Sequence, residues 1–326
     1  MAPADRARRA VVHRFGAVVR GRHRSQEEPV KLVSFGPPGA EEPGVLVRPD
    51  AILPLRGAAF AGGWSALLAR WPVAEPLVRA AVAGHAGTDL VPLAGTRLGP
   101  PVPRPGTVIA IGFNYPAHGG EVLGARPPGE PVVFLKPASS VCGPADPIVC
   151  PPETRQLDYE VELAVVIGLG GQRIPRAEAL KHVAGYMVAN DVTARDVAFG
   201  AGADHPLLFQ IARAKGSPSF CPTGPWLATP DEFDPAGAGL RLWVNGELRQ
   251  QDSTAGMAVG VAGLIESVSR SMALRPGDVL LTGTPPGCGF QLDPPRFLAG
   301  GDVVEAEIDG LGRMRSPVVE HSLERI

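Results

Sequence analysis

Short apolar runs, many alternating with polar residues and separated by glycine and proline, recur along this chain. Period-two patterning marks strands, because successive side chains point to opposite faces. KLVSF, GVLV and AILPL near the start read this way. So do TVIAIGFNY, PVVFLK, YEVELAVVIG, GYMVANDV, LRLWVNGEL, DVLLTG and DVVEAEI further on. Spacings of three and four predict helices in WSALLARW, AEPLVRAAVAG, PRAEALKHVAG and AVGVAGLIESVSRSM. Strands outnumber helices and the turns are close together, which favours a β-rich α+β fold over a doubly wound parallel sheet.

These runs divide the chain. Residues 1–29 are Arg-rich and lack the apolar stretch of a secretory signal, so they read as a disordered N-terminal extension. Residues 30–98 make a small N-terminal α+β domain. The Pro- and Gly-rich LVPLAGTRLGPPVPRPG then leads to a larger domain over 105–326.

One run departs from simple amphipathicity. In LDYEVELAVVI, Leu157 to Ile167, Asp158, Glu160 and Glu162 fall on one face of a strand, opposite Tyr159, Val161, Leu163, Val165 and Ile167. Ala164 and Val166 continue the acidic face, so that face is not simply solvated. Like charges about 7 Å apart repel unless something positive lies among them. Asp191 follows the apolar run Tyr186 to Ala189 and precedes Arg195 and Asp196, gathering more charge at a strand end. Two Glu and one Asp are hard oxygen donors of the kind that bind Mg²⁺ or Mn²⁺.

Other residues add candidate chemistry. In GFNYPAHGGE, a helical turn would bring His118 and Glu121 together, so that Glu121 orients a His118 general base. Gly119 and Gly120 between them argue against a rigid resting helix and suit a segment that orders over ligand. Lys136 ends the strand VVFLK and Lys215 lies in ARAKGSPSF. Beside a metal, either could hold a substrate carboxylate or an enolate oxygen. TGTPPGCG, Thr282 to Gly289, offers backbone N–H groups and a hydroxyl to an anion.

Composition narrows the class. A formal net charge of -2 gives no electrostatic case for nucleic acid or an anionic membrane surface. No run reaches the roughly 18 apolar residues of a membrane helix. The four cysteines are scattered without a C-x-x-C pair, which points to a reduced, cytoplasmic setting. There is no H-E-x-x-H zinc motif, G-x-S-x-G elbow or phosphate loop.

Taken in order, IGFNYPAHGGE, PVVFLKPASSVCGP, LDYEVELAVVIG, VAGYMVANDVTARD, CPTGPW, LRPGDVLLTGTPPGCG and GDVVEAEIDGLG resemble the fumarylacetoacetate hydrolase superfamily, over roughly 108 to 312. The resemblance implies a rolled β-sandwich catalytic core, usually homodimeric, and a small-molecule 2-oxo acid or dicarbonyl substrate. It implies a metal held by Glu160, Glu162 and Asp191, and catalytic His118, Glu121 and Lys215. Substrate contacts would come from Lys136, Arg195, Thr284 and Tyr115. The implied reaction is hydrolysis of a carbon–carbon bond beside a carbonyl through a metal-stabilised enolate. A tautomerase or decarboxylase would use the same site, and a non-catalytic binding protein could keep the fold, although a scaffold has no need of a repulsive acidic cluster. Many members carry a Gln two residues past Asp196. Ala198 stands there, followed by Phe199 and the segment GAGADHPLLFQIARAK, which points to a more apolar pocket.

Overall fold

A computed structural model of the chain describes residues 30–123, 130–198, 200 and 210–321, without the side chains of 120–123. The expected extension over 1–29 lies outside these residues. The runs KLVSF, GVLV and AILPL fall on the strands Lys31–Phe35, Glu42–Arg48 and Ala51–Pro54, which pair in antiparallel succession. The first of these also pairs with Cys221–Ala228, setting Leu32 opposite Leu227, so the early strands extend the large sheet. From Cys221–Ala228 the sheet runs through Val183–Asn190, Val161–Ile167, Val279–Leu281 and Val108–Gly112 to Val132–Lys136 at its edge. Among the described residues it contains twelve strands, and it faces a second, five-stranded sheet that includes Gly239–Val244, Glu247–Ser253, Val303–Ile308 and Gly312–Glu320.

The central Val161–Ile167 strand is buried on both faces. Val161, Leu163, Val165 and Ile167 meet Leu240, Leu242, Val304 and Ile308 from the second sheet. Ala164 and Val166 meet Trp71 and Val78 of the helix Trp71–Gly84, and Trp64 and Leu68 of Gly63–Ala69. This layering explains why the acidic face turns apolar after Glu162: beyond that point it packs under the N-terminal helices. Fully burying an aliphatic side chain is worth about 1.5–3 kcal/mol, so the strand at the site is held from both sides.

Two local expectations change. PRAEALKHVAG, despite its helical spacing, forms only a 3₁₀ turn at Ala179–His182 before Val183 enters the sheet, because VAGYMVAN pairs along its length with the central strand. Asp158 does not share the Val161–Ile167 strand. Leu157–Asp158 pairs separately with Thr193–Ala194. Among the described residues no helix is long and apolar enough to cross a membrane.

Candidate active site

The site forms where two neighbouring strands of the large sheet end. Val161 pairs with Asn190 and Glu162 with Ala189, so Glu160 and Asp191 emerge side by side as the ladder stops. Backbone bonds fix them there: Asp191 N–H donates to Glu160 O at 2.8 Å, and Glu160 N–H donates to Asn190 Oδ1 at 2.9 Å. Glu160, Glu162 and Asp191 are buried, and each offers a carboxylate oxygen within 4.8 Å of the others.

Much of the positive charge demanded by the acidic run comes from the chain itself. Lys215 Nζ donates to Glu160 Oε2 at 2.7 Å and to Asp191 Oδ2 at 2.6 Å. Lys136 Nζ donates to Asp191 Oδ1 at 2.5 Å. Arg195 donates from Nε to Asp158 Oδ2 at 2.9 Å and from its terminal nitrogen to Glu160 Oε1 at 2.6 Å, with its guanidinium 4.2 Å above the Phe290 ring. Burial opposes the Glu160 charge, yet Lys215 and then Arg195 outweigh it and hold its pKa at about 2. Glu162 goes the other way: burial and then Asp191 and Glu160 push its pKa well above the ordinary carboxylate value, although it accepts the Gly283 N–H at 2.7 Å.

The Gly283 contact requires glycine. Its φ is +97°, and a Cβ there would lie 2.9 Å from the Asn114 Cβ. Asn114 in turn ties three segments together. Its amide donates to Thr282 O at 2.8 Å and Val259 O at 3.0 Å, and its Oδ1 accepts from Val259 N–H at 3.0 Å. The preceding residue, Phe113, adopts φ +58°, a conformation unfavourable for a bulky side chain. This pinned turn aims Phe113 into the site and starts the helix Pro116–Leu123, with Gly119 N–H donating to Tyr115 O at 3.0 Å. The helix is therefore formed in spite of Gly119 and Gly120. His118 is buried on it, stacks beside Phe113 at 6.2 Å, and leaves Nδ1 without a partner among the described residues. Burial lowers the His118 pKa, as do Arg195 and Lys215, while Glu160 opposes them, so the ring is biased toward its neutral form. The side chain of Glu121, the expected partner of His118, lies outside the described residues.

His118, Glu160, Glu162, Arg195, Lys215 and Thr284 all border one cavity of about 570 Å³. The hydroxyl of Thr284 donates to Val161 O at 2.9 Å and accepts from Gln250 at 2.9 Å, which commits it to the strand end. Lys136 and Tyr115 are buried nearby but do not border the cavity. Tyr115 OH has no partner among the described residues, and burial raises its pKa, with Asp252 and Glu162 adding to the rise. Asp158, Gln250, Asn114 and Phe290 were not singled out by the sequence reading as site residues. Asp158 alone carried a signal, as the first acid of the run. The others depend on contacts between distant segments.

With this geometry in view, the chain can be set beside known proteins. Residues 107–319 match the family described as Fumarylacetoacetate (FAA) hydrolase C-terminal. A mitochondrial oxaloacetate tautomerase of Xenopus laevis is 46% identical over 220 residues, 67% of each chain. The structure of a probable 2-hydroxyhepta-2,4-diene-1,7-dioate isomerase from Mycobacterium abscessus is 46% identical with a TM-score of 0.75, covering 90% of this chain and 100% of that one. Maleylpyruvate hydrolase from Sphingobium sp. SYK-6, solved with manganese(II) and pyruvate, is 32% identical with a TM-score of 0.73, covering 90% and 100%.

Proposed function

This chain belongs to the fumarylacetoacetate hydrolase family, and from that premise we propose that it is a divalent-metal-dependent hydrolase. It would cleave the carbon–carbon bond beside a carbonyl of an acylpyruvate-type 2-oxo acid. The observation that carries this reading is the buried Glu160–Glu162–Asp191 cluster, of which Glu160 and Glu162 border the same cavity as His118. An all-oxygen, buried, converging donor set fits Mg²⁺ or Mn²⁺. When bound, such an ion supplies Lewis-acid stabilisation of negative charge on substrate oxygens.

The rest of the chemistry falls to the chain. His118, kept neutral by burial, takes a proton from the attacking water. The water oxygen bonds to the distal carbonyl carbon, and the electron pair of the breaking carbon–carbon bond passes into the enolate of the departing 2-oxo acid. The proton is then returned to that enolate carbon. Lys215 and Arg195, already committed to Glu160, place positive charge where the enolate and its carboxylate would lie. A second reading has support in the tautomerase and isomerase similarities: the same enolate, formed and reprotonated without an attacking water, would give isomerisation.

Calorimetry of Mn²⁺ binding, with and without oxalate as an enolate mimic, tests the reading on wild type and Glu162→Ala. The expected result is metal binding tightened by oxalate in wild type, with both lost in a folded variant. Binding of neither to wild type sinks it. Release of a 2-oxo acid from an acylpyruvate then separates hydrolysis from isomerisation.

A further inference from the structure

The cavity is chemically two-sided. Glu160, Glu162, Lys215 and Arg195 gather in it, with the Phe290 ring against Arg195 at 4.2 Å and the Phe134 ring against Lys215 at 5.0 Å; the rest of the wall is largely hydrocarbon and aromatic, including Phe113, Val132, Ala198 and Ile211. With all its acids ionised, the charged group is one short of balance. Asp158, Glu160, Glu162 and Asp191 set four carboxylates against the three cations Lys136, Lys215 and Arg195. That leaves one negative charge, which a bound divalent ion would convert to one positive charge. There is capacity for one substrate carboxylate.

Among the described wall residues His118 has a ring nitrogen without a partner, but it serves the attacking water, and no other side chain there is free for a second carboxylate. Lys215 and Arg195 are the cationic side chains there, and both are bound at the charged end. Thr193 and Thr284 are the hydroxyls of the wall, and both donate to backbone carbonyls: Thr193 to Asp191 O at 2.9 Å and Thr284 to Val161 O at 2.9 Å. A carboxylate at the far end of a substrate would lose water against apolar groups without gaining a partner. An alkyl or aryl group would gain from the same burial.

We propose that this site selects 2-oxo acids carrying one carboxylate and an apolar tail over analogues that end in a second carboxylate, with Val132, Ala198 and Ile211 lining the tail pocket. This rests on the enolate-site reading above. It sets the chain apart from the dioate named for its Mycobacterium abscessus relative, which carries two carboxylates.

The test compares two 2,4-dioxo acids of matched length, one ending in a phenyl or alkyl group and one in a carboxylate, on the Mn²⁺-loaded protein. Oxalate is titrated alongside. The expected result is that oxalate binds and the apolar-tailed acid is favoured by about 10- to 100-fold in kcat/KM. Ile211→Lys, a half-buried position on the wall, should cut that preference by about tenfold by supplying a cation. If oxalate binds but the dicarboxylic acid is used equally well or better, the tail pocket is overturned and the enolate site stands. A preference that survives Ile211→Lys unchanged also overturns the pocket assignment. If oxalate does not bind, both readings fall together.

Discussion

Lys215 Nζ lies 2.6 Å from Asp191 Oδ2, so an ammonium group sits at the carboxylate cluster where a divalent ion would also be drawn. Its second bond, to Glu160, makes it a bridge between two of the three candidate ligands. Burial would lower the Lys215 pKa, but Asp191 and Glu160 overcome this and raise it, so the charge is retained. Removing one partner from a buried ion cluster leaves uncompensated charge and costs about 3–5 kcal/mol. Lys215→Met should therefore lower the melting temperature strongly in chelator, and Mn²⁺ should restore much of the loss. Equal melting temperatures for the chelated variant and wild type would refute the bridge.

Glu162 should give the metal-free protein a distinctive pH response. Its folded pKa is raised, first by burial and then by Asp191 and Glu160. The folded state thus holds a proton that the unfolded state gives up at its ordinary, lower value. The stability this contributes is present at acid pH and falls as pH rises toward the folded pKa. In chelator, wild type should lose melting temperature between about pH 5 and about pH 8 more steeply than Glu162→Gln. Mn²⁺ competes with the same proton, so its affinity should weaken toward the acid end. Parallel pH slopes for wild type and variant would show that the Glu162 proton is not involved.

Two of the three acids of the cluster were legible from their spacing: Glu162 lies on the strand Val161–Ile167 and Glu160 just before it, where the ladder to Val183–Asn190 stops. The β-rich α+β fold followed from period-two runs and close turns. Sequence spacing could not show which cation pairs with which acid. Arg195 reaches back 37 residues to Asp158, and Lys215 reaches back 55 to Glu160. Asp158 was grouped with the other acids by spacing, but its pairing with Thr193 turns it toward Arg195 instead. The left-handed Phe113 left no trace in its residue type, since a phenylalanine rarely adopts that conformation. Tertiary bonds through Asn114 impose it.

Asn114 is therefore a positioning residue worth testing. It is buried, and its amide joins the start of the His118 helix to Val259 and Thr282. Asn114→Ala leaves those groups without partners, at about 1–3 kcal/mol for each buried polar group left unsatisfied. Thr282 precedes Gly283, whose N–H holds Glu162, so the variant should also weaken Mn²⁺ binding without altering a ligand. Asn114→Asp, which keeps the acceptor but loses the donor, should fall between alanine and wild type in stability. A variant that melts earlier yet binds Mn²⁺ as wild type does would confine Asn114 to a structural role.

Asp158 separates substrate binding from metal binding. It is fully buried and accepts four donors: the Tyr159 N–H at 2.9 Å, the Gly289 N–H at 2.7 Å, the Phe290 N–H at 3.2 Å and Arg195 Nε at 2.9 Å. Asp158→Asn keeps the shape but removes the charge and places an NH₂ group among those donors. Arg195 then depends on Glu160 alone, and Phe290, whose ring faces the guanidinium, loses part of its backbone anchor. Glu160, Glu162 and Asp191 keep their own backbone contacts through Asn190 and Gly283. Mn²⁺ affinity should therefore change by no more than about threefold, whereas oxalate affinity in the Mn²⁺ complex should drop by about tenfold or more as Arg195 loses its fixed orientation. An equal fall in both affinities would mean that Asp158 supports the metal ligands, and that Arg195 is not an independent anion contact.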